Sequence, residues 1–289
     1  MSSQITTAFV NQFSANIQML SQQMGSLLRP AVDVETVNGE KAFFDQVGSA
    51  AAVLRTTRHA DTPLIDTPHS RRMVTMSDYE YADLIDDQDK VRLLVDPTST
   101  YSRAAAAAMG RAMDDVIISA ALGNAKTGKD GSTTTAFDSN NTIGVGSPAA
   151  GLTLAKLLEA KEILDAGNVD PSIPRYIVVA PKQISDLLGD TTVTSSDFNT
   201  VKALAQGELN QFVGFTFITS NRLGVDASSY RRVIAFASDG IKLAIGKEPT
   251  ARIDERADKS YATQVYYCQS VGATRMEEAK VVEVLCSEA

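Results

Sequence analysis

The chain has 289 residues, 27 Lys and Arg against 35 Asp and Glu for a formal net charge of −8, and 44% hydrophobic residues. A chain of this size holds a core without staples, has no run of about 18 apolar residues to span a bilayer, and carries a charge balance that argues against non-specific DNA binding driven by net charge. Its two cysteines, Cys268 and Cys286, make no disulfide framework and fit a reducing compartment, and its two histidines, His59 and His69, are too few for most histidine-based metal sites.

The first basic residue is Arg29, so no charged start of a signal peptide is expected. Phe9, Phe13, Ile17, Leu20, Met24 and Leu28 recur with a period near 3.6 and predict a helix over 4–28, stopped by Pro30. Its apolar stripe must be covered, by its own body or by a neighbour. Val32, Val34 and Thr36 alternate, Asn38-Gly39 follows, and Lys41, Phe43, Asp45 and Val47 alternate again, which predicts a hairpin over 32–47. Residues 48–76 are thin in apolar side chains, interrupted by Pro63 and Pro68, and carry Arg55, Arg58, Arg71 and Arg72. Two strands, near 52–59 and 70–76, joined by a tip at 60–69, are expected there. Such a ribbon builds no core of its own. The sign of the charge then reverses at Asp78, Glu80, Asp83, Asp86, Asp87 and Asp89, on an expected short helix at 79–87, and Asp96-Pro97 marks a boundary.

The longest predicted helix covers 99–122. Thr98 or Ser99 can cap it, Ala104 to Ala108 favour it, Met109, Met113, Val116, Ile117 and Ala120 share one face, and Gly123-Asn124 offers a left-handed stop. Residues 124–151, rich in Gly, Ser, Thr and Asn, read as a long loop with an irregular strand or two. A compact α/β pattern follows: a helix at 153–166 ending at Gly167, a buried strand at 176–180, a helix at 182–188 opened by Pro181, a helix at 197–206, and strands at 212–219, 231–237, 261–271 and 280–286.

The catalytic patterns are near misses. Gly123 to Lys129 has the glycine and lysine spacing of a phosphate loop, but Asp130 stands where Ser or Thr should follow, and the segment succeeds a helix instead of opening one. Gly144-Val145-Gly146-Ser147-Pro148 only imitates a nucleophile elbow. Asp114-Asp115 are adjacent helical positions that point in different directions and read as a pair of surface acids, or as one acid lining a site while the other sees solvent; both cysteines read as buried free thiols. The charge reversal is the informative feature. Ordering a ribbon of about 25 residues costs on the order of 1–2 kcal/mol each, so some surface must compensate. The acidic run of a second copy is the natural one: Arg55, Arg58, Arg71 and Arg72 are expected to meet Asp83, Asp86 and Asp87 across a subunit contact.

The order of these pieces resembles the major capsid proteins of tailed bacteriophages with the HK97-type fold, over nearly the whole length. Arg55-Thr56-Thr57-Arg58 through Asp61-Thr62-Pro63 to Arg71-Arg72-Met73-Val74 looks like that family's E-loop. Thr100 through Met113-Asp114-Asp115-Val116 looks like its spine helix, and Tyr176 to Ile184 like a strand turning at proline into a helix of its central domain. Gly214-Phe215 through Arg222, Asp239 to Ala244 and Gly272 to Arg275 complete the set. The resemblance implies an α+β HK97-like capsid fold with an N-terminal arm (1–35), an E-loop region with an extended β-hairpin (36–90), a peripheral domain with a long spine helix (91–150), a central axial α/β domain (151–249) and returning strands shared by both (250–289). It implies no enzyme, cofactor or metal. The implied partners are other copies in the hexamers and pentamers of an icosahedral shell, a separate scaffolding protein, a portal protein, room for a decoration protein, and packaged DNA enclosed without sequence-specific binding. No membrane partner is implied, and assembly is expected in the host bacterial cytoplasm. An encapsulin-like shell protein is the alternative within the fold, and a nucleotide-binding enzyme using 123–129 the alternative outside it.

Overall fold

The computed structural model describes residues 21–59, 61–86, 98–189 and 211–288. The chain builds strands β1 (Asp33–Thr36), β2 (Lys41–Val47), β3 (His69–Thr75) and β4 (Ser77–Ile85), then helix α1 (Thr98–Leu122). Three short strands follow, β5 (Ala125–Thr127), β6 (Thr133–Thr135) and β7 (Thr142–Ile143). Next come α2 (Leu154–Ala166), β8 (Arg175–Val179), α3 (Pro181–Gly189), β9 (Gln211–Phe212), β10 (Phe215–Thr219), β11 (Arg231–Ala237), β12 (Ile241–Arg256), β13 (Ala262–Arg275) and β14 (Val281–Cys286).

Among the described residues, three sheets result. The first is six-stranded, in the order β7-β14-β11-β8-β10-β9. Its strands bury Ile177 to Val179, Val233 to Ala237 and Val281, Val282 and Val284, so they read as continuous apolar runs. Thr153 caps α2, whose Leu157, Ala160 and Leu164 are buried, and the helix packs against β14. Buried Lys156 donates to the carbonyls of Ala150 (2.8 Å), Gly151 (3.0 Å) and Leu285 (2.8 Å), tying the helix start to the C-terminal strand. The second sheet, β1-β12-β13-β4, carries α1 across it. The third, β2-β3-β5-β6, is small and projects a two-stranded ribbon.

Several sequence expectations need correction. Residues 21–28 are not helical, because Gly25 takes φ +76° and side chains of α1 claim the backbone there; the rest of the predicted helix at 4–28 lies outside the described residues. The predicted hairpin at 32–47 is instead two strands in different sheets. β1 pairs parallel with β12 (Val34 opposite Leu243) and β2 antiparallel with β3 (Phe43 opposite Met73). Asn38-Gly39 turns the chain, but alternation does not name a strand's partner. The ribbon's first arm is therefore 41–47, and 52–59 is irregular. The expected helix at 79–87 is strand β4, where Tyr79, Tyr81 and Asp83 are half-buried between exposed Asp78, Glu80, Ala82 and Leu84, a period of two. The expected strand at 212–219 breaks at Val213 and Gly214, both at positive φ, into the antiparallel pair β9–β10. The long β12 was not expected as a strand. The expected helix at 197–206 and the side chains of Thr98 and Ser99 lie outside the described residues.

The spine of the second sheet fits its prediction. α1 buries Met109, Met113 and Ile117 against β13, and the buried Gln269 side chain donates to the Met109 carbonyl at 3.0 Å. Neither Gly123 nor Asn124 is left-handed. Arg275 instead receives the end of the helix, donating to the carbonyls of Ala121 (2.8 Å) and Gly123 (2.7 Å), the placement of a cation that the helix dipole favours.

Candidate assembly interface

The β2–β3 ribbon is anchored at one end only. Ala42, Phe44 and Val74 are buried with Ala244, while Lys41, Phe43 and Asp45 on the alternate positions of β2 face out. Arg72 is buried on its own body. Its Nε donates to the Met276 carbonyl at 2.9 Å, where Gln46 also donates at 2.6 Å, and its Nη2 reaches Glu278 at 3.2 Å. Gly272 of β13 lets the ribbon seat this closely, since a Cβ there would stand 2.6 Å from the Thr75 carbonyl oxygen and the Val74 side chain. Arg72 is thus bonded within its own chain, where the sequence pattern predicts a partner on a second copy.

Arg71 lies on the opposite face, directly across from Asp45. Its Nε donates to Asp45 Oδ1 at 2.5 Å, and its guanidinium stands 5.5 Å from the centre of the Phe43 ring. That hydrogen bond holds the Asp45 carboxyl below its ordinary pKa. The pair borders an open cleft at the ribbon base, together with His69, Ser70, Lys129 and Thr133. Lys129 is thus not in a phosphate loop. Ala125 to Thr135 is the β5–β6 hairpin, with Gly128 at φ +91° in its turn, and no helix follows to supply amide donors.

Beyond the base, Gly48 donates to the Pro68 carbonyl at 2.8 Å and closes a long loop. Every described residue from Val47 to Ser70 is exposed except the half-buried Thr67. Arg55 and Arg58 sit in this loop with Val53, Leu54 (84% exposed), Leu64 (99% exposed) and Ile65. His59 shares the loop, in the left-handed region. Of the expected acids, Asp83 is half-buried on β4 and accepts from its neighbour Leu84 N, Asp86 is exposed just past the strand, and Asp87 lies outside the described residues. No single chain brings Arg55 or Arg58 onto those acids among the described contacts.

Asp114 and Asp115 are not the surface pair the sequence suggested. Asp114 is fully buried and accepts from Gln23, Ser26, Leu27 and Leu28. Asp115 grips Arg222, just after β10, through both guanidinium branches. Adjacent residues on one helix thus fix the entering chain and the six-stranded sheet. A signal was present: Asp114 falls one position from Met113 and three from Ile117, on the apolar face of α1. Cys286 is buried as expected, and Cys268 is half-exposed.

A mixed α+β body threaded by one long helix, with an uncovered ribbon reaching away from it, is the construction of a shell subunit. Residues 5–288 match the family described as phage capsid protein, and the chain belongs to that family. It is a major capsid structural protein with the HK97-type capsid fold. The capsid structure of the cyanophage P-SCSP1u superposes with a TM-score of 0.76 at 16% identity, over 99% of this chain and 95% of that one. The acid-stable capsid structure of Helicobacter pylori bacteriophage KHP30 gives 0.73 at 9% identity, over 100% and 98%. The capsid of Ralstonia phage GP4 gives 0.72 at 12% identity, over 96% and 95%. A search of curated protein sequences returned no match.

Proposed function

We propose that the chain builds its shell by laying the 48–68 loop of each copy across the next copy in a capsomer, with Arg55 and Arg58 over the acidic end of the neighbour's β4 at Asp83, Asp86 and Asp87. The observation that carries this reading is the loop's near-complete exposure, Leu54 and Leu64 included. Burying an aliphatic side chain is worth about 1.5–3 kcal/mol, against roughly 0–1 kcal/mol for an exposed ion pair. Val53, Leu54, Leu64 and Ile65 therefore carry the affinity, and the arginines choose the register. Heterologous contacts of this kind close into rings when the rotation permits, which gives hexamers and pentamers. Weak individual contacts let wrong additions reverse while the sum holds the particle.

In the same reading the function is mechanical and has no catalytic step. Residues 36–90 form the reaching region, α1 braces the periphery, and 151–249 surrounds the capsomer axis. A separate scaffolding protein guides closure in the host cytoplasm, a portal occupies one vertex, and the acidic wall encloses DNA without reading it. Electron microscopy of assembled particles tests the central contact. Arg55→Glu with Arg58→Glu should cut particle yield, and adding Asp83→Arg with Asp86→Arg should restore part of it. Unchanged yield and salt resistance in the arginine reversals would count against the reading.

A further inference from the structure

The outer half of β12 is held by a single ladder that is interrupted near its root. β1 flanks β12 only as far as Ile245, and from there to Arg256 the strand pairs with β13 alone among the described residues. The ladder shifts register on both sides of Lys247. Lys247 stands opposite Ser270 and Thr250 opposite Cys268, so Glu248 and Pro249 bulge between them. Lys247 and Cys268 are therefore diagonal neighbours on one face of the sheet. Gln269, the next residue, turns to the other face to reach Met109 of α1, so Cys268 points away from the helix.

Across the bulge Lys247 Nζ lies 2.9 Å from Cys268 Sγ. Lys247 is exposed and Cys268 half-exposed, so a small oxidant reaches the pair from solvent. Among the described residues no carboxylate holds the Lys247 amine, and its neighbour Glu248 is taken by Arg29 at 2.5 Å. The second cysteine is the contrast. Cys286 is fully buried, and Lys156, whose charge it feels, has its Nζ committed to the carbonyls of Ala150, Gly151 and Leu285.

We infer that Lys247 and Cys268 are an oxidation-triggered cross-link site, at which peroxide joins Cys268 Sγ to Lys247 Nζ and locks the outer half of β12 onto β13. The Cys268 sulfur attacks one oxygen of hydrogen peroxide; the O–O bond breaks, an S–O bond forms, and water leaves with the thiol proton, which gives the sulfenic acid. The neutral Lys247 amine then attacks that sulfur. An S–N bond forms, the S–O bond breaks, and the hydroxyl departs as a second water with one amine proton. Sulfur loses two electrons and the peroxide gains them, so one thiol, one amine and one peroxide become a sulfenamide and two waters. The cross-link goes beyond the shell reading and does not depend on it.

The test uses the full, unassembled chain, treated with hydrogen peroxide at pH 8 and then digested for peptide mapping by mass spectrometry. The parent should yield a peptide pair linked through Lys247 and Cys268, lighter than the two peptides together by two hydrogen atoms, and dithiothreitol should release it. Amide exchange across Arg252 to Asp254 should slow at least about ten-fold after oxidation, because the link closes a loop of about 20 residues across the bulge. Lys247→Arg keeps a cation beside the sulfur but has no amine to condense. It should give a sulfenic acid that dimedone traps, no linked pair and no change in exchange. Cys268→Ser should be inert to the treatment. Dimedone-reactive or over-oxidised Cys268 in the parent with no linked pair, a link to a different lysine, or a product running at twice the chain mass would overturn the site. A linked pair without slower exchange would overturn the locking of β12.

Discussion

Arg275, the last residue of β13, donates from Nη1 to the carbonyl oxygen of Ala121 in the last turn of α1, 2.8 Å away. The same guanidinium reaches the Gly123 carbonyl at 2.7 Å and Glu278 at 2.5 Å, and lies 5.1 Å from the centre of the Phe137 ring. Its side chain is fully buried. One residue therefore joins the end of the spine, the returning strand and the segment that anchors the ribbon through Glu278. Arg275→Met takes the donor from Oε2 of the half-buried Glu278 and from the Ala121 and Gly123 carbonyls, and should destabilise by about 1–3 kcal/mol for each buried group left unsatisfied. Arg275→Lys keeps the charge but not the fork, and should also destabilise. Urea unfolding of the unassembled chain measures both.

The seat of the ribbon on β13 makes a second prediction. Gly272 faces the Thr75 carbonyl and the Val74 side chain with no room for a Cβ. Gly272→Ala should push the ribbon base outward and cost on the order of 1–3 kcal/mol. Amide exchange should then speed at Ala42 and Phe44, which lie against that base, while the six-stranded sheet stays protected.

How much of this was readable in advance depended on whether the deciding partner was local. Arg175–Val179 announced itself as a buried strand because both its faces are covered, and α1 because its apolar face and alanine run agree. The acids of β4 hid a period of two behind a charge run. The outer half of β12, exposed from Gly246 to Arg256, buries nothing and exists only through its ladder with β13. At the candidate interface, the bareness of 48–68 was legible from its thin apolar content and its prolines. The fate of Arg72 was not, since its partners Met276 and Glu278 are more than 200 residues away in sequence. Asp114 was readable in principle, as an acid on an apolar helix face, but its partners come from a segment whose own periodicity argued for a helix.

The two cysteines should differ in reactivity. Cys286 is fully buried, and burial raises its thiol pKa to about 11, so it stays a protonated, shielded thiol at neutral pH. Cys268 is half-exposed, with Lys247 Nζ 2.9 Å from its sulfur. An alkylating reagent at pH 8 should modify Cys268 first in the folded, unassembled chain, with a single mass increment by mass spectrometry. A second increment should come only on unfolding. Equal rates at both sites would contradict the burial of β14.

The C-terminal strap should weaken in acid. Glu288 accepts two bonds from Arg231, from Nε at 2.8 Å and Nη2 at 2.9 Å, and a third at 3.1 Å from the buried amide of Gln183 on α3. Hydrogen bonding from Arg231, then from Gln183, lowers its pKa from an ordinary 4.5. A carboxylate with a depressed folded pKa stabilises fully above the unfolded value, and that contribution disappears as pH falls through the folded one, because the unfolded chain takes up its proton first. The chain should therefore melt above a Glu288→Gln variant at pH 6. The gap should narrow from about pH 4.5 downward and close once the folded carboxyl is protonated. Thermal unfolding of both proteins across pH 6 to 3 measures it, and a gap that is constant with pH would show that Arg231 gains nothing from the charge. Gln183 also accepts from the Ala180 amide at 3.1 Å. Loss of the strap should therefore be felt where β8 turns into α3, as faster exchange at Ala180.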